Sequence, residues 1–476
     1  MVGKLRRIIL FVFVGIYLVA APLTILYALG YIFSPIQQTL LPTGLVSVET
    51  EPSQARVWVN GVLANDKTPL VLRNLRPGFY DLRIGLPGYH PWQKRIETKP
   101  DRALRLEDIL LFPLSPRLEI LGNFSVTKIW SDPGGKRLVV LEGEKASGLT
   151  LFEPDKKEFR PIFPIGPTRE AVVEKVLLHP WGDRAIVSLR RSEGLRPLLV
   201  RFSDPIQVNS LTDLLQEPFT QLQWGAPHKS SLFYLKGETL RYLDLDEGVL
   251  YLDLPKRIRS FALYGSRLFV LDARRRFLEV TPQGKIRNTL LKEPEKARLI
   301  FGPDEGERYS ISFLPPVSLF SSLEDALALF LSHQGKLFSN KLPYFLDEGV
   351  HELALANSHP RVLYRKGTEL WIVDFERERE RTFFERGLTP RRIYQGKEAL
   401  GNLLWFYSDR YVLFLEGSRV KVLDFEGEGE AIELFEISGE FPQILLDRKR
   451  GFLYFVHPDR NRLARFKLFE GEGLFP

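Results

Sequence analysis

The seven histidines are the side chains best suited to metal binding and to proton transfer near neutral pH. Metalloproteases place two of them around a glutamate as His-Glu-x-x-His, so that both rings reach one metal from a single helix. Neither this pattern nor another metal-ligand spacing occurs in the chain. We therefore predict turn roles for the histidines, and neither a metal site nor a cofactor. The histidines are His90, His179, His228, His333, His351, His359 and His457.

Carboxylates are the remaining candidates for catalysis. Asp and Glu together number 59, and two of them in a channel could hydrolyse a glycosidic bond as an acid and base pair. The chain has no cysteine, which excludes disulfides, thiolate metal sites and cysteine nucleophiles. It also lacks a Gly-x-Ser-x-Gly elbow and a phosphate-binding loop. No residue is singled out as catalytic, and a non-catalytic protein is predicted.

The formal net charge of +7 does not indicate a nucleic-acid-binding protein. Lys4, Arg6 and Arg7 contribute three of these charges, and elsewhere acids and bases are interspersed, as in FERERERTFFERG. Nucleic-acid-binding proteins more often carry a basic stripe. The basic run at residues 274–276 is interpreted as the solvated end of a hairpin. No nucleic-acid partner is predicted.

The N-terminal region carries a long uncharged run, IILFVFVGIYLVAAPLTILYALGYIF, at residues 8–33. As a helix it would be about 39 Å long, enough to cross a bilayer core of about 30 Å. Residues 1–33 are therefore predicted to be a cytoplasmic stub and a transmembrane helix, with a cleavable signal peptide as the alternative. The preceding cations predict a single-pass cell-membrane protein with a cytoplasmic N-terminus and an extracytoplasmic bulk, anchored in the lipid bilayer through residues 8–33.

After a short linker at residues 34–43, residues 44–113 read as a compact β-sandwich. Runs of alternating polar and apolar residues are separated by turn signals such as Asn60-Gly61 and two Pro-Gly pairs. The segments that define its turn order are TEPSQARVWVNG (50–61), TPLVLRNLRPGFYDLRI (68–84) and PGYHPWQKRI (87–96).

These segments resemble the PEGA domain, a small β-sandwich of microbial envelope and surface proteins. Thr68-Pro69-Leu70 stands where that family has its Pro-Glu-Gly-Ala motif. The resemblance implies an extracytoplasmic location and carries no catalytic residues. Tyr89 and Trp92 are predicted as a possible binding surface, and the alternative is that they pack against the sandwich or the next domain.

Residues 114–476 contain a repeated pattern. Three segments, GETLRYLDL (237–245), GTELWIVDF (367–375) and GSRVKVLDF (417–425), share a glycine, alternating apolar residues and an aspartate. Eight apolar strands that end in polar turns recur at a mean spacing of about 45 residues, which is typical of a β-propeller. The eight segments lie at residues 129–141, 177–189, 222–235, 263–271, 300–311, 355–364, 405–415 and 445–456.

The fold prediction is all-β after the N-terminal helix, with a propeller of eight blades preferred and seven possible. The turn at Trp130 to Lys136 resembles the Trp-Ser-Pro-Asp-Gly-Lys hairpin of periplasmic Tol-system propellers, with Asp132 and Pro133 exchanged. Residues 312–349 fit the repeat least, and SLEDALALFL (322–331) could form a helix or a strand pair.

The predicted function is a non-catalytic binding or scaffolding protein of a microbial cell envelope, with an envelope protein or polysaccharide as partner. The alternative is a glycan-active hydrolase or lyase with acids in the propeller channel.

Overall fold

The computed structural model describes most of the chain after residue 38 and a few residues before it. The chain forms two compact units, one with the residues up to Ser115 and one that begins at Pro116. The described residues are 10, 13–18, 20–22, 24, 31–34, 39–100, 103–132, 134–143, 148–164, 171–192, 194–211, 219, 221–225, 231–245, 250–251, 257–264, 267–274, 276–281, 285–291, 309–313, 328–332, 334–339, 346–375, 389–427, 430–437 and 442–469.

The N-terminal run does not form the predicted transmembrane helix. Of its described residues, 13–18 and 20–22 are helical, and no helix in the described part of the chain is both long and apolar enough to cross a membrane. The end of the run forms a strand, β1 (Tyr31–Ser34), that pairs antiparallel with β2 (Thr39–Pro42) in the predicted linker. The sequence of β1, YIFS, contains aromatic and β-branched residues, which favour strands. The predicted transmembrane helix and single-pass location are therefore wrong, and a bilayer contact of residues 8–33 is not shown.

The first unit contains two packed sheets. One has the order β6-β3-β9, in which β3 and β9 are parallel, and the other has the order β5-β4-β7-β8. Alternate residues of both sheets, such as Val48 of β3 and Val57 of β4, share one fully buried core. The strands are β3 (Gly44–Glu51), β4 (Arg56–Val59), β5 (Val62–Lys67), β6 (Leu70–Leu75), β7 (Gly78–Gly85), β8 (Trp92–Thr98) and β9 (Ala103–Leu110).

The second unit is built from antiparallel sheets whose strands follow one another along the chain. Blades 1 to 4 are four such sheets of four strands each. Blade 1 contains β11 (Val126–Ser131), β12 (Leu138–Glu142), β13 (Gly148–Glu153) and β14 (Glu158–Pro164). Blade 2 contains β15 (Ala171–Leu178), β16 (Arg184–Arg191), β17 (Gly194–Arg201) and β18 (Gln207–Ser210). Blade 3 contains β19 (Gln221–Trp224), β20 (Ser231–Lys236), β21 (Thr239–Asp244) and β22 (Leu250–Tyr251). Blade 4 contains β23 (Ile258–Tyr264), β24 (Arg267–Asp272), β25 (Phe277–Val280) and β26 (Ile286–Leu291).

Blades 5 to 8 continue the series. Blade 5 contains β27 (Tyr309–Phe313), β28 (Ala328–Ser332) and β29 (Leu337–Ser339). Blade 6 contains β30 (Glu352–Leu355), β31 (Arg361–Lys366), β32 (Glu369–Asp374) and β33 (Arg391–Gln395). Blade 7 contains β34 (Leu400–Phe406), β35 (Tyr411–Glu416), β36 (Arg419–Asp424) and β37 (Ile432–Glu436). Blade 8 contains β38 (Leu445–Asp447), β39 (Phe452–Val456) and β40 (Leu463–Lys467), together with β10 (Leu118–Ile120), which pairs with β40.

The blades form a closed ring. Shared hydrophobic clusters join blade 8 to blade 1 and each of blades 1 to 5 to the next. Blades 6 and 7 are joined by the Trp405 indole, which donates a hydrogen bond to the Ala354 carbonyl at 3.0 Å. Blades 7 and 8 are joined by the rings of Phe435 and Phe455, with centroids 4.5 Å apart. Because β10 comes from the start of the unit and β38 to β40 from its end, their pairing closes the ring in one sheet.

The second strand of each blade contains a run of at least three consecutive apolar residues. Both faces of this strand are covered by neighbouring blades, and β35 is buried along its whole length. A strand covered on both faces loses the polar alternation of a half-exposed strand. This burial explains the apolar runs that follow the repeated turns in the sequence.

Seven of the eight repeated turn segments connect the first and second strands of a blade. The exception is residues 300–311, of which residues 300–308 lie outside the described part of the chain and the end belongs to the first strand of blade 5. In the irregular region, Ala328–Ser332 is a strand. The rest of the SLEDALALFL segment up to residue 327 lies outside the described residues.

Candidate functional site

One end of the ring, here called the turn face, carries the turns between the first and second strands. Polar side chains on this face connect neighbouring blades. The clearest case is Asp409 of blade 7, which is 2% exposed. Its carboxylate accepts hydrogen bonds from the backbone N–H groups of Asn357 at 2.8 Å and Ser358 at 2.5 Å in blade 6. The turn face is defined by residues 132, 134–137, 179–184, 356–361, 407–410 and 447–451.

A similar set of contacts joins blade 1 to blade 2. In blade 1, Asp132 accepts hydrogen bonds from the N–H groups of Gly134 at 2.9 Å and Arg137 at 2.7 Å. Burial raises the pKa of Asp132, while these N–H groups oppose the shift. The Arg137 guanidinium reaches blade 2 and donates to the Gly182 carbonyl at 2.6 Å. The aspartate of the predicted Tol-like turn therefore holds its own turn in shape.

Trp181, at the tip of the blade 2 turn, is a large aromatic side chain that the turn face presents to solvent. Its side chain is 51% exposed, although the turn beneath it is held by buried groups. The Gly182 N–H donates to the His179 carbonyl at 2.7 Å, and the Trp181 N–H donates to His179 Nδ1 at 3.3 Å. Trp181 is thus an exposed indole on a fixed backbone.

His179 anchors this turn from below. It is 2% exposed, and its ring lies edge-on to Trp224 of blade 3 at 4.9 Å. Burial lowers the pKa of His179, and the nearby Asp183 carboxylate opposes this shift. Trp224 in turn donates from Nε1 to the Leu177 carbonyl at 2.9 Å. The predicted turn role of this histidine is therefore observed as a packing contact between two blades.

Two of the repeated aspartates, at the ends of third strands, form buried ion pairs. In blade 6, Asp374 lies 2.9 Å from Arg361 of the neighbouring second strand. In blade 7, Asp424 lies 3.0 Å from Arg410, which directly precedes the second strand. Blade 1 has the equivalent pair of Arg137 and Glu153 at 3.0 Å. Each pair joins the second and third strands at the turn face, so this part of the repeat is structural.

The first strands line the inside of the ring, because those of neighbouring blades contact one another. The described first strands carry three carboxyl groups, Glu174, Glu352 and Asp447. Glu174 pairs with Arg190 at 2.7 Å, and Asp447 pairs with Arg450 at 2.7 Å. Glu352 accepts a hydrogen bond from the Leu403 N–H of blade 7 at 3.0 Å. All three are therefore engaged in contacts within or between blades.

A polar cluster outside the inner wall joins blades 6 and 7. Glu416, 1% exposed, accepts hydrogen bonds from the Tyr394 hydroxyl at 2.8 Å and from the Lys397 N–H at 2.6 Å, and it pairs with Lys421. Although burial alone would raise its pKa, these donors together lower the pKa of Glu416 to about 2. A carboxyl group held in its charged form at this strength suits an ion pair and does not suit a general acid.

In the part of the chain that the structure describes, no three or more His, Asp or Glu side chains lie together so that they could hold a metal ion. The two residues predicted as a binding surface lie in the first unit. Trp92 is 7% exposed and belongs to the sandwich core, and Tyr89 packs against that core. Trp92 therefore contributes packing, while a ligand contact of Tyr89 and Trp92 stays a prediction.

The sequence did not single out Trp181. The signal that could have identified it is its place between Pro180 and Gly182 in a turn, where a large apolar side chain has no strand neighbours to cover it. The same segment was recognised as a turn. However, an exposed and a buried tryptophan look alike in a sequence.

Comparison with known protein families gives a match to part of the first unit. Residues 43–110 match the PEGA domain. A search of curated proteins found no match.

Solved structures that resemble the chain include several propellers. They are the Myceliophteria thermophila Cps50 (Swd1) β-propeller domain, the C-terminal WD40 domain of Sif2 and the computationally designed protein Ika8, at 10%, 8% and 10% identity. The matches cover 74%, 75% and 74% of this chain, and 99%, 100% and 100% of the three solved structures, respectively. The TM-scores are 0.41, 0.48 and 0.45. Since all three are below 0.5, the propeller assignment depends on the strand pairing and ring closure of this chain.

Proposed function

We propose that this chain is a non-catalytic platform that binds another protein through the turn face of its propeller. The observation that carries the proposal is the exposed Trp181 on a turn fixed by buried hydrogen bonds. Tryptophan is among the residues that contribute most to protein–protein interfaces. A fixed backbone lowers the entropic cost of ordering such an anchor when a partner binds.

The arrangement of the carboxyl groups supports a binding role over glycan hydrolysis. Hydrolysis would need an acid and a base that are free to exchange protons with a substrate in the channel. The three carboxyl groups of the described first strands are all engaged with arginines or with a backbone N–H. For this reason we propose a binding role and not glycan hydrolysis, with a protein as the partner class.

A site-specific cross-linking experiment tests this proposal. A photo-reactive amino acid is placed at position 181 in the full chain, and the matched control carries it at position 195, an exposed apolar position at the opposite end of blade 2. Irradiation in a native extract should yield a defined protein adduct from position 181 that position 195 does not give. Identical adducts from both positions, or turnover of a glycan by the purified chain, would contradict the proposal.

A further inference from the structure

The outward face of the four-stranded PEGA sheet carries a group of cations around one indole. Trp58 of β4 pairs directly with Arg83 of β7, and Arg56 pairs with Lys67 of β5. Directly paired residues of antiparallel strands point to the same face of a sheet. Since Val57 between them points into the core, these four side chains point outward. We call this group, with Leu63 opposite Trp58, the Trp58 face.

The indole on this face is held in place. The Arg83 guanidinium lies over the Trp58 ring at 5.7 Å from its centroid. A Cβ atom on Gly85 would lie 3.3 Å from the ring, so the absence of a side chain there lets the indole lie close to the neighbouring strand. Stacking of this kind fixes a guanidinium while leaving its edge N–H groups available for hydrogen bonds.

The three cations have no carboxylate partner in the described part of the chain. Arg56, Lys67 and Arg83 are exposed, and none forms an ion pair with another described residue. The outward carboxylates of this sheet have partners. Asp81, two residues before Arg83 on the same face, lies 3.9 Å from Arg95, and Glu97 lies 3.4 Å from Lys99. The Trp58 face is therefore a local excess of positive charge beside an apolar surface, where Leu63 is 49% exposed.

The spacing of the cations indicates the form of the ligand. Arg83 lies in one row with Trp58, and Lys67 lies with Arg56 in the next row on the same face. Two residues of a strand span about 6.8 Å, which is therefore the approximate separation of the two rows. Alternate side chains of an extended peptide have the same repeat, so two carboxylates at positions i and i+2 could each meet one row.

From this match of charge and spacing, we infer that the Trp58 face binds an extended acidic peptide segment of a partner protein. The carboxylates pair with Arg83 and with Arg56 and Lys67, and the intervening backbone lies over the half-buried indole and Leu63. This site is separate from Trp181 and does not depend on the function proposed for the turn face.

A binding titration with the full chain tests the inference. The probe is a labelled eight-residue peptide in which Glu and Thr alternate, measured by fluorescence anisotropy at low and at physiological salt. It should bind at low salt and weaken as salt rises. Replacing its Glu residues with Gln should abolish binding. The combined variant Arg56→Gln, Lys67→Gln and Arg83→Gln should weaken binding by about tenfold or more.

The matched control is the pair Arg73→Gln and Arg105→Gln, two exposed cations on the other sheet of the same unit, which should leave the affinity unchanged. Trp181→Ala should also leave it unchanged, which separates this test from that of the turn face. Equal binding by the triple variant and the wild type would overturn the inference. Variant-sensitive binding of polygalacturonate without peptide binding would overturn it too, because the ligand would then be an acidic glycan.

Discussion

The carboxylate of Asp409 in blade 7 accepts the backbone N–H of Ser358 in blade 6 at 2.5 Å. The backbone N–H groups of the residues before and after Ser358, Asn357 and His359, donate to the same carboxylate at 2.8 and 3.3 Å. One buried side chain thus satisfies three successive N–H groups of a neighbouring turn. Ring closure in this region depends on this polar contact as well as on apolar packing.

Asp409→Ala should destabilise the propeller. The substitution removes the charged acceptor that three successive N–H groups share, and loss of a hydrogen bond to a charged group costs about 1.5–3 kcal/mol. We expect a decrease of about 2–4 kcal/mol in the free energy of unfolding, measured by denaturant titration. The control Asp204→Asn, at a side chain that is 97% exposed, should change it by less than about 0.5 kcal/mol. Equal effects of the two changes would show that the contact between the blades contributes little.

Gly135→Ala should weaken the junction of blades 8 and 1. The new Cβ atom would lie 2.7 Å from the Cα atom of Asp447, and the backbone at Gly135 has a φ of +65°. Gly237→Ala is the matched control, because its φ is +58° and its Cβ atom would have open space. The control should cost about 1 kcal/mol from backbone strain alone. A larger loss at Gly135, measured by denaturant titration, would isolate the steric clash, while equal losses would contradict it.

The Glu416 ion pair should make stability depend on pH in the acid range. The folded state lowers the pKa of Glu416 from 4.5 to about 2. A carboxyl group with a lowered folded-state pKa contributes stability above its unfolded pKa and loses it as pH falls through the folded pKa. This contribution, of about 3 kcal/mol, should be complete above about pH 5 and lost between about pH 4.5 and 2.

Glu416→Gln should remove that part of the acid dependence. Unfolding free energies of the wild type and the variant, measured from pH 7 to pH 2, should converge as the pH falls. The exposed Glu398, whose carboxylate pairs with Arg419, supplies the control Glu398→Gln. In this control, the unfolding free energy should fall with decreasing pH almost as steeply as in the wild type. A Glu416→Gln curve parallel to that of the wild type would show that Glu416 does not hold its charge as described.

Local patterns in the sequence predicted the strands and turns well, and contacts distant in sequence poorly. The glycines at 237, 367 and 417 lie in hairpins with positive φ, as the repeated motif indicates. In contrast, β10 has three residues, and no local pattern shows that it pairs with a strand more than 340 residues later. Ring closure is therefore visible only in the folded chain.

The N-terminal prediction was wrong because hydropathy does not distinguish a helix from a strand. Residues 31–34 are apolar enough to extend a membrane helix, but they pair with residues 39–42. The site prediction had a related difficulty. Trp92 and Trp181 both follow a proline near a turn, yet Trp92 is 7% exposed and Trp181 is 51% exposed. Burial depends on the neighbouring strands, which the local sequence does not specify.

The central claim, that the turn face binds a protein through Trp181, is tested most directly by the affinity of the cross-linked partner. The purified partner is titrated against the wild type, Trp181→Ala and the control Leu195→Ala by isothermal titration calorimetry. Because Trp181 is exposed, its replacement should change folding stability by less than about 0.5 kcal/mol. We predict a loss of about 2 kcal/mol or more in binding free energy for Trp181→Ala, typical of an interface anchor, and no loss for Leu195→Ala. Equal affinities of all three proteins for the partner would contradict the account.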